Sequence, residues 1–278
     1  MKILFLQILM VTSLFAQQKT SPIPYGNNPK VGKYVSIRGF NMYYEIYGKG
    51  EPLLIIHGNG GSIENFKFQI PFFSQKYQVI VADSRAQGKS VDDQDSLSYE
   101  MMADDFAALL DHLKLDSAEV IGWSDGGING LLLASRHPRK VKKLAVTGAN
   151  LIPDADLAID AWVVQDVKNT IDSLQKMPQN IAVKRSLKLQ NLLYFQPHIS
   201  HQELAKIQCP TLVIGGDNDV ILAKHTVEIA ENIPKSYLWI LPNSGHSTPI
   251  FYKDLFNSTV EDFFKKPYRK FEKADKFR

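Results

Sequence analysis

A single cysteine, Cys209, in 278 residues excludes an intrachain disulfide and any cysteine-rich metal site. It stands just before an apolar run and reads as a small buried hydrophobe. Charge of one sign is equally scarce: 32 basic against 29 acidic side chains leave a net +3, too mild to argue for a nucleic-acid partner. Internal repeats and low-complexity tracts are missing. The one apolar run at the N-terminus, Ile3 to Val11, is too short to span a membrane. What remains is ordinary globular material, 44% hydrophobic and 22% charged, long enough for one large α/β domain or two small ones.

The N-terminal run follows Met1-Lys2 and is followed by Thr12-Ser13-Leu14-Phe15-Ala16. A positive start, a short apolar core and a small residue before Gln17 describe a signal peptide over residues 1–16, so a periplasmic or secreted protein is expected. Residues 17–33 are polar and rich in Pro, Asn and Gly, and read as a loose lead-in. A core then runs over 34–150 and resumes over 206–264. Tyr34–Ile37 and Met42–Tyr47 alternate like an edge ribbon. Apolar runs at Leu53–Ile56, Tyr77–Ala82, Ala118–Ile121, Lys143–Val146, Thr211–Ile214 and Tyr237–Leu241 alternate with helical stretches at 62–75, 99–113 and 127–136. Continuous apolar strands joined by helices predict the α/β class, with a mostly parallel central sheet covered by helices on both faces.

Residues 151–205 break this alternation. Ala158, Ile159, Trp162, Val163, Val167, Ile171 and Leu174 recur at helical spacing, and a second helix is expected over Ile181–Phe195. The block lies between two sheet strands and reads as a helical lid insertion over the sheet's carboxyl edge, lining a substrate pocket. Trp162 is its candidate substrate contact. Such a stripe is also what plain packing would produce.

The most informative stretch is Gly122-Trp123-Ser124-Asp125-Gly126. Gly-x-Ser-x-Gly between an apolar strand and an amphipathic helix is a nucleophile elbow. A serine hydroxyl is a poor nucleophile at neutral pH and needs a base, and the base needs a carboxylate to orient it. Leu241-Pro242-Asn243-Ser244-Gly245-His246 ends the last strand with a histidine, and Gly216-Asp217-Asn218-Asp219 ends the one before it with acids. Asp219 is the candidate orienting acid, because it lies deeper in the turn than Asp217; either could be a turn residue. Loops at the carboxyl ends of parallel strands converge, so Ser124, Asp219 and His246 can meet. The tetrahedral oxyanion needs two further donors. His57-Gly58-Asn59-Gly60-Gly61 follows a strand and supplies glycines that let N–H groups turn inward. The backbone of Asn59 and of Asp125 are the candidate donors, with Gly60 second on the loop side. The loop lacks the Lys-Ser/Thr ending of a phosphate-binding P-loop. Trp123 and Gly60 are candidate substrate contacts.

These motifs, together with Asp83-Ser84-Arg85-Ala86-Gln87-Gly88-Lys89-Ser90, resemble the α/β-hydrolase superfamily from about residue 34 to 264. The resemblance implies an α/β-hydrolase fold, a Ser–His–Asp mechanism through an acyl-enzyme, and no cofactor and no metal. The chain departs from the superfamily at Ala86, where members usually carry glycine. The Gly-Trp-Ser-Asp-Gly-Gly elbow is similar to that of the biphenyl-hydrolase-like, or valacyclovirase-like, aminoacyl-ester hydrolases. In that group the acid after the serine binds the substrate's α-ammonium, a role that would fall to Asp125. Electrostatics agree: a carboxylate about 6 Å from an oxyanion costs about 2–3 kcal/mol at an effective dielectric near 20, and an ammonium offsets that. Alternatively Asp125 only complements the helix dipole and points away.

The expected activity is thus an exported serine hydrolase acting on a small carboxylic ester. A carbon–carbon bond hydrolase or a haloperoxidase-type enzyme could use the same triad, and a ligand-binding protein could use the same scaffold. Lys265 to Arg278 is a basic tail expected to be solvated. Asn257-Ser258-Thr259 matches a glycosylation acceptor in a helical context that makes it incidental.

Overall fold

The computed structural model describes residues 23–92, 94–272 and 275. The expected signal segment therefore lies outside the described residues. The chain opens on a hairpin of β1 (Lys33–Ile37) and β2 (Phe40–Tyr47). Arg38 and Gly39 close it with φ of 46° and 86°, the double left-handed turn whose twist suits two strands. Then follow β3 (Glu51–Ile56), α1 (Gln69–Phe73), β4 (Tyr77–Ala82), α2 (Tyr99–His112), β5 (Ala118–Trp123), α3 (Asp125–Arg136) and β6 (Val141–Thr147). The insertion holds α4 (Ala161–Gln175), α5 (Ile181–Phe195) and α6 (His201–Leu204). The chain closes with β7 (Thr211–Gly216), α7 (Ala223–Glu231), β8 (Ser236–Leu241), α8 (Thr248–Phe251) and α9 (Lys253–Lys265).

The strands form one eight-stranded sheet in the order β1-β2-β4-β3-β5-β6-β7-β8. Only β2 runs antiparallel to its neighbours β1 and β4; every other pair is parallel. Alternate residues of each strand feed two cores. Leu54, Ile56, Val120 and Val146 pack with α2, α3 and α7, whereas Leu53, Ile55, Ile121 and Ile214 pack with α1 and α9. Two buried faces are why these strands read as unbroken apolar runs.

The topology also places the site. β3 sits between β4 and β5, so the chain reverses direction across the sheet there. Ile56 pairs with Gly122, so the loops leaving β3 and β5 begin side by side at the carboxyl edge.

Two local features differ from the sequence expectations. The stretch at 62–75 is a short 3₁₀ turn, Ile63–Phe66, followed by the brief α1, because the Asn65 side chain accepts from Ser62 N at 2.7 Å and holds the tight turn. The lead-in is not loose where it is described. Gly26 N and Asn28 N each donate to the buried Glu45 carboxylate at 2.9 Å, and so do the hydroxyls of Tyr43 and Tyr47 at 2.7 Å. The described part of the C-terminal tail, 265–272, is almost wholly exposed, as expected of a solvated segment, with Arg269 N donating to Tyr237 Oη at 2.8 Å. Asn257 is buried, its amide bonded to Phe68 O and to Gln69, so it is not presented as a glycosylation acceptor.

The 83–90 loop is held by Arg85. Its Nε and Nη2 donate to the two oxygens of buried Asp105 at 2.7 and 2.8 Å, and its guanidinium lies 4.0 Å over the Phe40 ring. Ala86 adopts φ 63°. A glycine would take that conformation without cost, which explains the residue usual in the superfamily.

Candidate active site

Ser124 stands between β5 and α3 with φ 57° and ψ −123°, a conformation that L-residues avoid. The turn is fixed from both sides. Ser124 N donates to Thr147 O at 2.8 Å, and Ser124 O accepts from Gly127 N at 2.7 Å and Ile128 N at 3.1 Å. A Cβ on Gly122 would meet the carbonyl oxygen of Gly126, and one on Gly126 would meet that of Ile56. The elbow's two glycines are therefore required by backbone pressed on backbone.

Ser124, His246 and Asp219 are brought together. His246 Nε2 lies 2.9 Å from Ser124 Oγ, and His246 Nδ1 lies 2.7 Å from Asp219 Oδ1. A carboxylate only accepts, so Nδ1 carries the proton and Nε2 is left to accept from the serine hydroxyl. Asp219 is buried, and its Oδ1 also accepts from Ile221 N at 3.0 Å, which fixes the carboxylate plane. Gly148, at φ 63°, passes so close to the imidazole that a Cβ there would crowd His246 Cε1 and Nδ1. Asp217 is a turn residue. It is exposed and accepts from Ser244 N at 3.0 Å, and backbone donors in the 243–244 turn hold its carboxyl below the usual range.

His57 does not touch the serine. It is buried, its Nε2 accepting from Ser84 N at 2.9 Å and its Nδ1 lying 2.8 Å from Gly58 O. Burial pushes its pKa down, so the ring is neutral and ties the loop after β3 to the loop after β4.

Ser124 opens onto a cavity of about 370 Å³ lined by Asn59, Gly60, Trp123, Asp125, Val163 and His246, among others. Gly60 has φ 64° and no atom within 4 Å of where a Cβ would sit, so its face toward the cavity is open. Trp123 lines the cavity and donates from Nε1 to His246 O at 2.8 Å. Trp162 is a correction. Its side chain is 64% exposed and is not part of the cavity wall, which α4 and the residues before it supply instead through Val163 and Ile159. Successive helical residues diverge by about 100°, so one of the pair had to face outward.

Asp125 does not point away into solvent. It is 1% exposed, lines the cavity, and its Oδ2 accepts from Asn59 Nδ2 at 2.9 Å. The Asn59 amide also reaches Leu189 O on α5 at 3.4 Å. Burial raises the Asp125 pKa to about 6, against the lowering effects of Asn59, Tyr99 and His246. Tyr99, wholly buried at the start of α2, has its own pKa raised by burial and by the Asp125 charge. Neither Asn59's side chain nor Tyr99 was marked by sequence spacing as a neighbour of Asp125. Among the described residues no group of three or more His, Cys, Asp or Glu side chains is placed to hold a metal ion, and no helix is long and apolar enough to cross a membrane.

Comparison with known proteins agrees with this fold. The profile of the alpha/beta hydrolase fold family matches residues 51–189. Serine hydrolase BPHL of Homo sapiens is 28% identical over 247 residues, covering 82% of this chain and 84% of that protein. The 2-hydroxymuconate semialdehyde hydrolase of Pseudomonas sp. (strain CF600) is 26% identical over 270 residues, covering 85% and 95%. The crystal structure of bromoperoxidase from Bacillus anthracis superposes with a TM-score of 0.73 at 22% identity, covering 84% of this chain and all of that one, a likeness of fold.

Proposed function

The chain belongs to the α/β-hydrolase fold family, and from that premise we propose that it is a serine hydrolase of small carboxylic esters, with aminoacyl esters as its favoured class. The observation that carries the reading is the unbroken hydrogen-bond line from Ser124 Oγ through His246 to Asp219, at 2.9 and 2.7 Å. His246 Nε2 takes the serine proton as Oγ bonds to the ester carbon. The carbonyl oxygen becomes an oxyanion, held by the backbone N–H groups of Asn59 and Asp125. The intermediate collapses, the alcohol leaves with the proton from His246, and the serine is acylated. Water then gives a proton to His246, attacks the acyl carbon and releases the acid; the proton returns to Ser124.

The amine preference rests on Asp125. A buried carboxylate beside the reacting carbonyl opposes a second negative charge, and an α-ammonium on the substrate offsets that opposition. Similarity to serine hydrolase BPHL supports the serine-hydrolase part of the reading. Cleavage of a carbon–carbon bond is the second reading, favoured by the similarity to 2-hydroxymuconate semialdehyde hydrolase. Its acidic, readily ionised substrates would meet the Asp125 charge unfavourably, so the ester reading is preferred.

Export is proposed from residues 1–16 alone; a mature protein beginning at Gln17 is the result expected from N-terminal sequencing. The activity is tested with alanine benzyl ester, benzyl propionate and 2-hydroxymuconate semialdehyde on wild type, Ser124→Ala and Asp125→Asn. Ser124→Ala should abolish turnover while the far-ultraviolet spectrum is unchanged. Wild type should prefer the alanine ester by about tenfold or more, and Asp125→Asn should lose that preference. Turnover of the semialdehyde alone would move the assignment to the second reading.

A further inference from the structure

We propose that the Asn59 side chain is a specificity-positioning latch: its amide holds the Asp125 carboxylate and gives way to the ammonium of an incoming substrate. The inference rests on the aminoacyl-ester reading above and concerns a residue to which only a backbone role has been given.

The geometry is specific. Asp125 belongs to the cavity wall, yet only 1% of it is open to solvent. Its Oδ2 is taken by Asn59 Nδ2 at 2.9 Å. That nitrogen carries two hydrogens, and its other neighbour is Leu189 O at 3.4 Å on α5. The amide therefore bridges the acid on α3 and the backbone of the insertion. An amide N–H is the neutral counterpart of an ammonium N–H: it satisfies the same lone pair but carries no charge. A substrate ammonium can replace it with a stronger, charge-assisted bond, and Asn59 is half-buried and lines the same cavity. A desamino ester offers nothing to compensate the acid and leaves the latch in place.

The titratable groups facing Asp125 are Tyr99 from α2 and His246 from the loop after β8. Tyr99 stays neutral because its pKa is raised well above the usual tyrosine value. His246 acts on amino and desamino esters alike, so it cancels when the two substrates are compared on one enzyme. What remains in the comparison is the ionisation of Asp125, which Asn59 favours by donating to the charged form.

The test compares wild type, Asn59→Ala and Asn59→Ser. The first readout is the ratio of kcat/KM for alanine benzyl ester to that for benzyl propionate, from pH 5.5 to 8. The second, independent of activity, is the midpoint of the Asp125 carboxylate carbon shift by NMR, with Asp125→Asn used to assign the signal. The wild-type midpoint is expected at about 6. Loss of one hydrogen bond to a charged group moves it upward by about one unit in Asn59→Ala, so the amine preference at pH 6 falls about fivefold. At pH 7.5 the acid is again mostly ionised, and with the latch gone the preference equals or exceeds that of wild type; the substrate amine titrates identically for every enzyme compared. Asn59→Ser, which keeps a donor, should lie between the two. An unmoved midpoint in Asn59→Ala overturns the latch, and so does a preference lowered equally at every pH, which would make Asn59 a direct substrate ligand. If wild type shows no amine preference at all, the aminoacyl reading fails instead, and the NMR midpoint still decides the role of Asn59.

Discussion

The indole Nε1 of Trp123 donates to the carbonyl oxygen of His246 at 2.8 Å, so the residue before the nucleophile anchors the loop that carries the base. The two rings also lie 6.2 Å apart at 45°. One short bond thus couples the end of β5 to the turn after β8, two strands that are not neighbours in the sheet. Trp123→Phe keeps the ring and removes the donor. It should lower kcat for ester hydrolysis about three- to tenfold, the value of one neutral hydrogen bond, with little change in KM. A rise in KM with kcat unchanged would instead make Trp123 a substrate contact and nothing more.

Asp219 fixes which nitrogen of His246 carries the proton. Its Oδ1 is held at once by His246 Nδ1 at 2.7 Å and Ile221 N at 3.0 Å. Asp219→Asn preserves shape but can present an N–H to Nδ1, which leaves Nε2 protonated and unable to accept from Ser124. We expect kcat to fall on the order of 10³- to 10⁴-fold with the melting temperature little altered. Asp217→Asn, by contrast, loosens only the turn at Ser244 and should keep nearly all activity; equal losses in the two variants would contradict the assignment.

Much of this arrangement is legible in the sequence. Strands buried on both faces leave unbroken apolar runs, and the three catalytic candidates each follow such a run, where parallel topology gathers loops. Ser124, Asp219 and His246 were found that way, as was the glycine-rich loop after β3. Side-chain direction was not legible. Trp162 and Val163 are adjacent on α4 and share one apolar stripe, yet Val163 lines the cavity and Trp162 is largely exposed. Only packing of the insertion against the sheet decides between them. The contact of Asn59 with Asp125 was invisible for another reason: 66 residues separate them, and periodicity says nothing about which side chain closes a gap across a cavity. Ala86 is an intermediate case, since the departure from glycine was plain but its positive φ was not.

Glycines of the site differ in what they protect. Gly126→Ala would drive a methyl into the backbone of Ile56 and His57, neither of which can move without disturbing β3. We expect a loss of about 3 kcal/mol or more in unfolding free energy, or failure to accumulate as folded protein. Gly60→Ala meets no atom within 4 Å and suffers only its φ of 64°. Its cost should be about 1–2 kcal/mol. Chemical denaturation of the two variants tests the contrast, and similar losses would mean that the backbone at Ile56 yields to the added methyl.

Far from the cavity, Glu119 makes stability depend on pH. It begins β5 at the opposite edge of the sheet, its Oε2 is buried without a hydrogen-bond partner, and burial raises its pKa from 4.5 to about 7 despite the charges of Lys143 and Lys142. Lys143 is occupied in part by the carbonyls that end α9, at 2.6 Å from both Phe264 O and Lys266 O. The folded state therefore binds the Glu119 proton more tightly than the unfolded chain does. Stability contributed by the neutral acid is fully present below pH 4.5 and is lost as pH rises through about 7. Glu119→Gln is neutral throughout and nearly the same size. Above pH 7 it should be more stable than wild type by about 1–3 kcal/mol, and the gap should close steadily on going down to pH 4.5. Melting curves at pH 5, 6.5 and 8 measure that gap; a difference that stays constant or grows toward acid would show that Glu119 is ionised and stabilising in the fold.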